Sequence, residues 1–261
     1  MQSASLVVVG SGIKFMSHLT TEAKAYILQS DIVLYLVNDP AMKEWIQQNN
    51  KQTESLDSIY TQYHLRSHCY RAITAHILET LRRNIHVCVV IYGHPTVYAQ
   101  PALGAVLQAK NEGYYAKILP GISSIDCLYA DLLIDPGSCG CQSFEATDFL
   151  LRRRKFDPNS HMILFQVGCV GIISHTKSPK NWIGIHLLLK YLNKFYPLEH
   201  EVILYEAAQY PCFEPRIEKL ALRELMSARI SLITTLYISP AYKAQDDKEM
   251  LKLFNINSND L

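Results

Sequence analysis

The chain carries almost no excess charge of either sign: 25 Lys and Arg stand against 24 Asp and Glu, a formal net charge of +1. Without a basic stripe or an acidic field, it lacks the electrostatic footprint of a nucleic-acid or membrane-surface binder. Long apolar runs are also missing, and none approaches the ~20 residues that span a bilayer. The first residues, MQSASLVVVGSG, hold no positively charged leader and run straight into strand-like sequence. Seven cysteines (Cys69, Cys88, Cys127, Cys139, Cys141, Cys169 and Cys212) are an odd number, several of them inside apolar runs, which argues against a disulfide framework. Those absences predict a soluble cytoplasmic protein with reduced thiols. Glycine and proline, 11 each, are too few for a fibrous or low-complexity chain.

Metal-ligand patterns are thin as well. Cys139-Gly140-Cys141 has no second pair at ligand spacing. His64, His68 and Cys69 fit one helical turn, but no carboxylate or further His completes a site nearby. No metal is expected. The basic cluster Arg152-Arg153-Arg154-Lys155 reads as a solvated helix end.

What is present is a 49% hydrophobic chain of 261 residues, long enough for two modest domains. Apolar strand-like runs at Leu6–Val9, Asp31–Val37, Ile85–Tyr92 and Tyr114–Leu119 alternate with helical patterns at Thr21–Gln29, Pro40–Gln48, Tyr70–Leu81, Pro101–Glu112 and Ser124–Leu133. Thr20 or Thr21 is the N-cap of the first helix. That alternation predicts a doubly wound α/β domain. After the turn-rich break Asp135–Gly140, strands at His161–Val167, Glu201–Tyr205 and Ile230–Ile238 and a helix at Gly184–Phe195 predict a smaller mixed sheet. Asp246–Leu261 reads as an appended helix or tail.

Two strand ends carry turn chemistry: Ile91–Tyr98 (IYGHPTVY) and Leu119–Cys127 (LPGISSIDC). In open α/β sheets, ligands collect beyond the carboxyl ends of strands, so these turns predict one site made by adjacent strands. Gly10-Ser11-Gly12 invites a dinucleotide reading, but the fingerprint's next glycine would fall at Phe15. Gly93 and Pro95 let Tyr92 and His94 face the crevice, though His94 could equally bond neighbouring loops. Ser123 and Ser124 open a helix, where hydroxyls and free N–H groups can hold polar ligand groups. Between Tyr60 and Tyr70 lie Tyr63 and Arg66, with Arg66 and Tyr70 on one helical face. A guanidinium beside a phenol favours phenolate. Taken alone, that cluster fits catalysis, a surface patch or a dimer contact.

With those residues assembled, the chain resembles the borosin peptide α-N-methyltransferases. They are a branch of the class III, tetrapyrrole-methylase-like, S-adenosylmethionine-dependent methyltransferases. The likeness runs from Ser5 to about Tyr242 through LVVVGSGI, the Tyr/Arg cluster, YGHPTVY, LPGISSIDCLYADLLIDP, SFEATDFLLR, LFQVGCVGI, LYEAA and TTLYISP. It implies methyl transfer from S-adenosylmethionine to backbone amide nitrogens, and a homodimer interlocked through the Tyr/Arg helical region. By position, Arg66, Tyr70 and Tyr92 match the family's catalytic residues, with Tyr60 and Tyr63 as supporting tyrosines. Cofactor contacts fall on Tyr92, His94, Val97, Ala99, Ser123, Ser124, Gln166, Ala207, Ala208, Thr234 and Thr235. One departure is visible: two residues separate Tyr63 from Arg66, fewer than is usual in the family.

The expected architecture is therefore a two-domain tetrapyrrole-methylase-like α/β fold. An N-terminal, mostly parallel domain covers 1–121, with the Tyr/Arg helical insert at about 55–84. A mixed α/β domain over 122–243 completes the cofactor cleft, and a tail covers 244–261. The chain ends soon after its last strand with no apolar core-peptide tail, so a split enzyme acting on a separate precursor peptide is expected. The competing readings are a small-molecule methyltransferase of the tetrapyrrole type and a non-catalytic scaffold that binds cofactor and leader peptide.

Overall fold

The computed structural model describes residues 4–83, 85–174 and 181–257. Contacts divide the chain into two compact units: 1–134 with 172–177 and 206–216, and 135–171 with 178–205 and 217–261. None of the described helices is long and apolar enough to cross a membrane.

The first unit runs β1 (Ser5–Gly10), α1 (Thr21–Gln29), β2 (Ile32–Leu36), α2 (Pro40–Asn49), β3 (Thr53–Ser55), α3 (Asp57–Gln62), α4 (Arg66–Leu81), β4 (His86–Ile91), α5 (Gln100–Asn111), β5 (Tyr115–Ile118) and α6 (Ser124–Leu132). Its strands form one sheet in the order β3-β2-β4-β1-β5, with parallel pairing throughout. Strand residues point alternately to opposite faces, so β1 sends Leu6 and Val8 one way and Val7 and Val9 the other. The first pair joins Ile73, Ile77 and Leu81 of α4 and Ala102, Ala105 and Ala109 of α5. The second joins Ala23 and Ile27 of α1 and Met42 and Ile46 of α2. A sheet covered on both faces explains why these strands read as continuous apolar runs. Thr20 caps α1, its Oγ1 accepting from the Ala23 N–H at 3.1 Å.

The second unit holds α7 (Pro136–Cys139), β6 (Cys141–Glu145), α8 (Ala146–Leu151), β7 (His161–Phe165), α9 (Trp182–Leu192), β8 (Glu201–Glu206), β9 (Arg216–Ala221), β10 (Thr235–Ile238) and α10 (Lys248–Phe254). Its sheet, β6-β7-β10-β8-β9, is mixed: β6 and β7 are parallel, while β10 runs antiparallel to β7 and β8. Phe149, Leu188, Leu192, Tyr196 and Leu204 fill its core. The last strand is shorter than the expected Ile230–Ile238. The Ser231 N–H donates to Thr234 Oγ1 at 2.8 Å, a local side-chain bond that competes with strand pairing and turns the chain before β10.

Candidate active site

In the first unit, the loops that follow β1, β4 and β5 meet backbone to backbone. Gly12 and Gly93 exchange main-chain hydrogen bonds at 3.3 and 3.1 Å, and the Ser11 N–H donates to Ile91 O at 2.8 Å. A Cβ on Gly10 would lie 2.2 Å from Gly93 O, and one on Gly121 would lie 3.1 Å from the same oxygen. A side chain at Gly10 would collide with that oxygen, and one at Gly121 would crowd it. The two turn motifs thus form one loop cluster, but not on neighbouring strands: β1 lies between β4 and β5. The sequence shows two motif-bearing strand ends, whereas sheet order is settled by tertiary packing.

Around this junction lie several of the expected cofactor residues. Half-buried His94 accepts from the Thr96 N–H through Nδ1 at 3.2 Å, which leaves Nε2 as the ring's other polar atom. Val97 closes that turn, its N–H donating to His94 O at 3.1 Å. Ala99 packs against the α4/α5 side of the core. Ser123 is buried, and both its N–H and its hydroxyl donate to Asp126 Oδ2, at 2.7 and 2.6 Å. Its polar groups are therefore committed to capping α6 instead of standing open, and half-buried Ser124 occupies the first helical position. Ala207 and Ala208 lie in the segment 206–216 of this unit.

A cavity of about 390 Å³ opens beside the β5 loop, lined by Lys14, His18, Gly121, Ile122, Asp126 and Cys127 among others. His18 Nδ1 accepts from the Lys14 N–H at 3.2 Å, and burial with the nearby Lys14 charge pushes its pKa down. Burial lifts the Cys127 thiol to about 11, so it is no nucleophile at neutral pH.

The second unit gathers its own candidates at one end of its sheet. Gln166 follows β7 in a left-handed conformation (φ 58°), a strained state for a non-glycine residue. A Cβ on Gly168 would lie 2.1 Å from Ser231 O, so the loops after β7 and before β10 touch. Buried Thr234 and Thr235 sit there.

The Tyr/Arg cluster is formed by α3 and the start of α4. Tyr60 and Tyr70 have ring centroids 6.5 Å apart and share a hydrogen bond. Burial, followed by Tyr70, pushes the Tyr60 pKa up to about 12 against the opposing pull of Arg66, so Tyr60 is a phenol at neutral pH. Arg66 opens α4, and its guanidinium donates to Ile172 O. Leu65 bridges Ser174 in the same place, fastening the helix start to the 172–174 segment. Tyr63 ends α3 and is 39% exposed. Tyr92 stands apart from these groups. Tyr60 and Tyr70 pack on the α4/α5 face of the sheet, while Tyr92, just past β4, packs on the α1/α2 face. Burial pushes its pKa up, and it bonds Gln209. Among the described residues, no group of three or more His, Cys, Asp or Glu side chains could hold a metal ion.

Sequence reading passed over Asp126, Lys14, His18 and Gln209. Asp126 had a signal, since Ser123-x-x-Asp126 is capping-box spacing. Gln209 had none, because its partner lies far away in the chain.

The profile of the tetrapyrrole (corrin/porphyrin) methylases matches residues 5–225. The chain is 40% identical over 243 residues to the methyltransferase/ribosomally synthesized cyclic peptide gymnopeptides precursor of Gymnopus fusipes, covering 92% of this chain and 58% of that protein. It is 36% identical over 264 residues to the methyltransferase/ribosomally synthesized type I borosin cyclic peptide precursor of Coprinopsis marcescibilis, covering 98% and 68%. The chain spans about three fifths of several such relatives, 61% for the omphalotin A precursor of Omphalotus olearius. Among solved structures, the uroporphyrin-III-C-methyltransferase of Thermus thermophilus has a TM-score of 0.65 at 15% identity, covering 99% of both chains. A cobalt precorrin-4 methyltransferase has 0.62 at 17%, covering 91% of this chain and 95% of that one. With its parallel-plus-mixed sheet architecture and a profile match over most of its length, the chain belongs to the tetrapyrrole methylase family.

Proposed function

We propose that the chain is an S-adenosylmethionine-dependent methyltransferase that acts on backbone amide nitrogens of a ribosomally made peptide. The observation that carries this reading is the Tyr60–Arg66–Tyr70 cluster on the helical insert of a methylase fold. The fungal relatives, named as methyltransferase and cyclic-peptide precursor in one chain, support the same substrate class.

The loop cluster fits a nucleoside-bearing cofactor. Gly10, Gly93 and Gly121 leave bare backbone where side chains would stand, and His94 offers a ring nitrogen. Bound there, S-adenosylmethionine would supply an electrophilic methyl group. Tyr92, His94, Val97, Ala99, Ser124, Ala207 and Ala208 of the first unit would hold it. Gln166, Thr234 and Thr235 are the second unit's candidates, and Ser123 would act through the cap it forms.

An amide nitrogen is a weak nucleophile because its lone pair is delocalised into the carbonyl. The chain's task is to remove the N–H proton and to stabilise the negative charge that then gathers on the carbonyl oxygen. Tyr70 is the proposed base and Arg66 the proposed partner of the oxygen. Tyr60, held as a phenol, donates and orients. Holding the amide in place contributes much of the rate by proximity.

We also propose a homodimer formed through the helical region at 55–84, and delivery of the peptide as a separate precursor. The buried members of all three hydrophobic clusters lie within residues 4–238, which supports a folded catalytic module meeting its peptide as a second molecule. The test is incubation with cofactor and a separate precursor peptide, followed by mass spectrometry for gains of one CH2 unit. Arg66→Ala and Tyr70→Phe should abolish the gain while cofactor binding persists. Unchanged rates would sink the mechanism, and methylation of the chain itself alone would sink the separate-precursor mode.

A further inference from the structure

The loop leaving β1 folds back around one ring. The Ile13 and Lys14 N–H groups both donate to His18 Nδ1, at 3.4 and 3.2 Å, and the His18 N–H donates in return to Lys14 O at 3.2 Å. Gly12 (φ +69°) passes so close that a Cβ on it would lie 2.2 Å from His18 Cβ. The loop thus grips His18 by backbone and side chain together. A ring nitrogen that accepts from N–H groups carries no proton, and burial with the nearby Lys14 charge pushes the His18 pKa down. At neutral pH the ring is therefore uncharged, with its one proton on Nε2, a donor held in place by the loop.

Lys14, His18, Asp126 and Asp131 line the cavity of about 390 Å³ together, with Ile122 and Ala130 among the apolar residues beside them. Among the described residues, the Lys14 ammonium forms no ion pair or hydrogen bond. Asp126 commits Oδ2 to the Ser123 cap. The charges limit what such a cavity can take. A simple anion would face two carboxylates, and a simple cation would face the ammonium. A group carrying both signs a few bonds apart satisfies the whole lining, and an α-amino-acid head group has that pattern. Gly121 lines this cavity and also approaches Gly93 O at the glycine junction, so the cavity adjoins the proposed cofactor cradle.

We propose that this cavity binds the amino-acid end of the methyl donor, with Lys14 and His18 Nε2–H taking its carboxylate and Asp126 and Asp131 its ammonium. The inference rests on the methyl-donor reading above and adds to it the subsite for one end of that cofactor. Charge-assisted hydrogen bonds of this kind are the strong ones, and they serve recognition because each partner fits one sign only.

The test is calorimetric binding to the full chain, with no turnover required, using two probes. S-Adenosylhomocysteine carries the amino-acid end, and 5′-methylthioadenosine shares its nucleoside and lacks that end. The parent chain should bind the first at least about tenfold more tightly, the scale of one hydrogen bond to a charged group. Lys14→Met should remove on the order of tenfold from S-adenosylhomocysteine affinity and leave 5′-methylthioadenosine affinity unchanged. Lys14→Arg, which keeps the charge, should retain most of the preference. His18→Ala would also loosen the loop, so Lys14, which uses only its main chain there, is the cleaner probe. Unchanged affinities in Lys14→Met overturn the proposal, as does an equal loss for both probes, which would mean a damaged loop and no head-group contact. A parent chain that binds both probes equally removes the head-group site and keeps the cradle. One that binds neither sinks the methyl-donor reading, and this subsite with it.

Discussion

At the scale of residues, the Tyr60 pKa carries a consequence that can be measured without substrate. Its pKa rises from 10.0 in the unfolded chain to about 12 when folded, chiefly through burial. A group whose folded pKa is raised contributes stability that is complete below the unfolded pKa and is lost as pH climbs to the folded one. Denaturant midpoints should therefore fall between pH 10 and about 12, and fall less in Tyr60→Phe. Equal pH dependence in the two proteins would contradict the buried phenol. The pairing of Arg66 with Tyr70 was legible in sequence because helical periodicity places residues four apart on one face. The separation of Tyr92 from that cluster was not, since it depends on which face of the sheet each ring meets.

Among elements, α6 shows a helix that was legible in the sequence and a cap that was passed over. The LPGISSIDC turn leads into a helix, as its Pro-Gly and serines predict, but Asp126 takes both polar groups of Ser123. Asp126→Ala should cost about 1 kcal/mol, the usual value of a lost helix cap, read as a lowered urea midpoint. Because Asp126 and Gly121 line the same cavity, the variant should also weaken cofactor binding. An unchanged midpoint would mean the cap does not hold the turn. Long apolar strands and helices such as β4 and α5 were readable because burial on both faces leaves continuous apolar runs. The three-residue β3, and β6 and β9 with their polar positions, carry no such run, and only their neighbours in the sheet make them strands.

For the whole molecule, likeness of fold and likeness of sequence point to different depths of function. The solved structures share the architecture at 15 and 17% identity, which shows the fold and leaves the substrate open. The fungal relatives share 36 to 40% of residues over 92 to 98% of this chain. In the proposed reading the glycine junction holds the methyl donor and the Tyr60–Arg66–Tyr70 cluster the acceptor, and the two can be tested apart. If the glycine junction is the cofactor cradle, S-adenosylmethionine or its demethylated product should stabilise the protein by about 2.7 kcal/mol at a hundredfold excess over Kd. Gly121→Ala places a Cβ 3.1 Å from Gly93 O and 3.2 Å from Gly10 Cα, tight against backbone that cannot rotate away. It should lower basal stability by roughly 1–3 kcal/mol and blunt the ligand-dependent rise in melting temperature. Arg66→Ala, in the cluster on the insert, should keep that rise in full while losing methyl transfer. A protein whose melting ignores both ligands would refute the cradle, and an Arg66→Ala variant that loses the thermal shift would show that the insert serves the cofactor instead of the peptide.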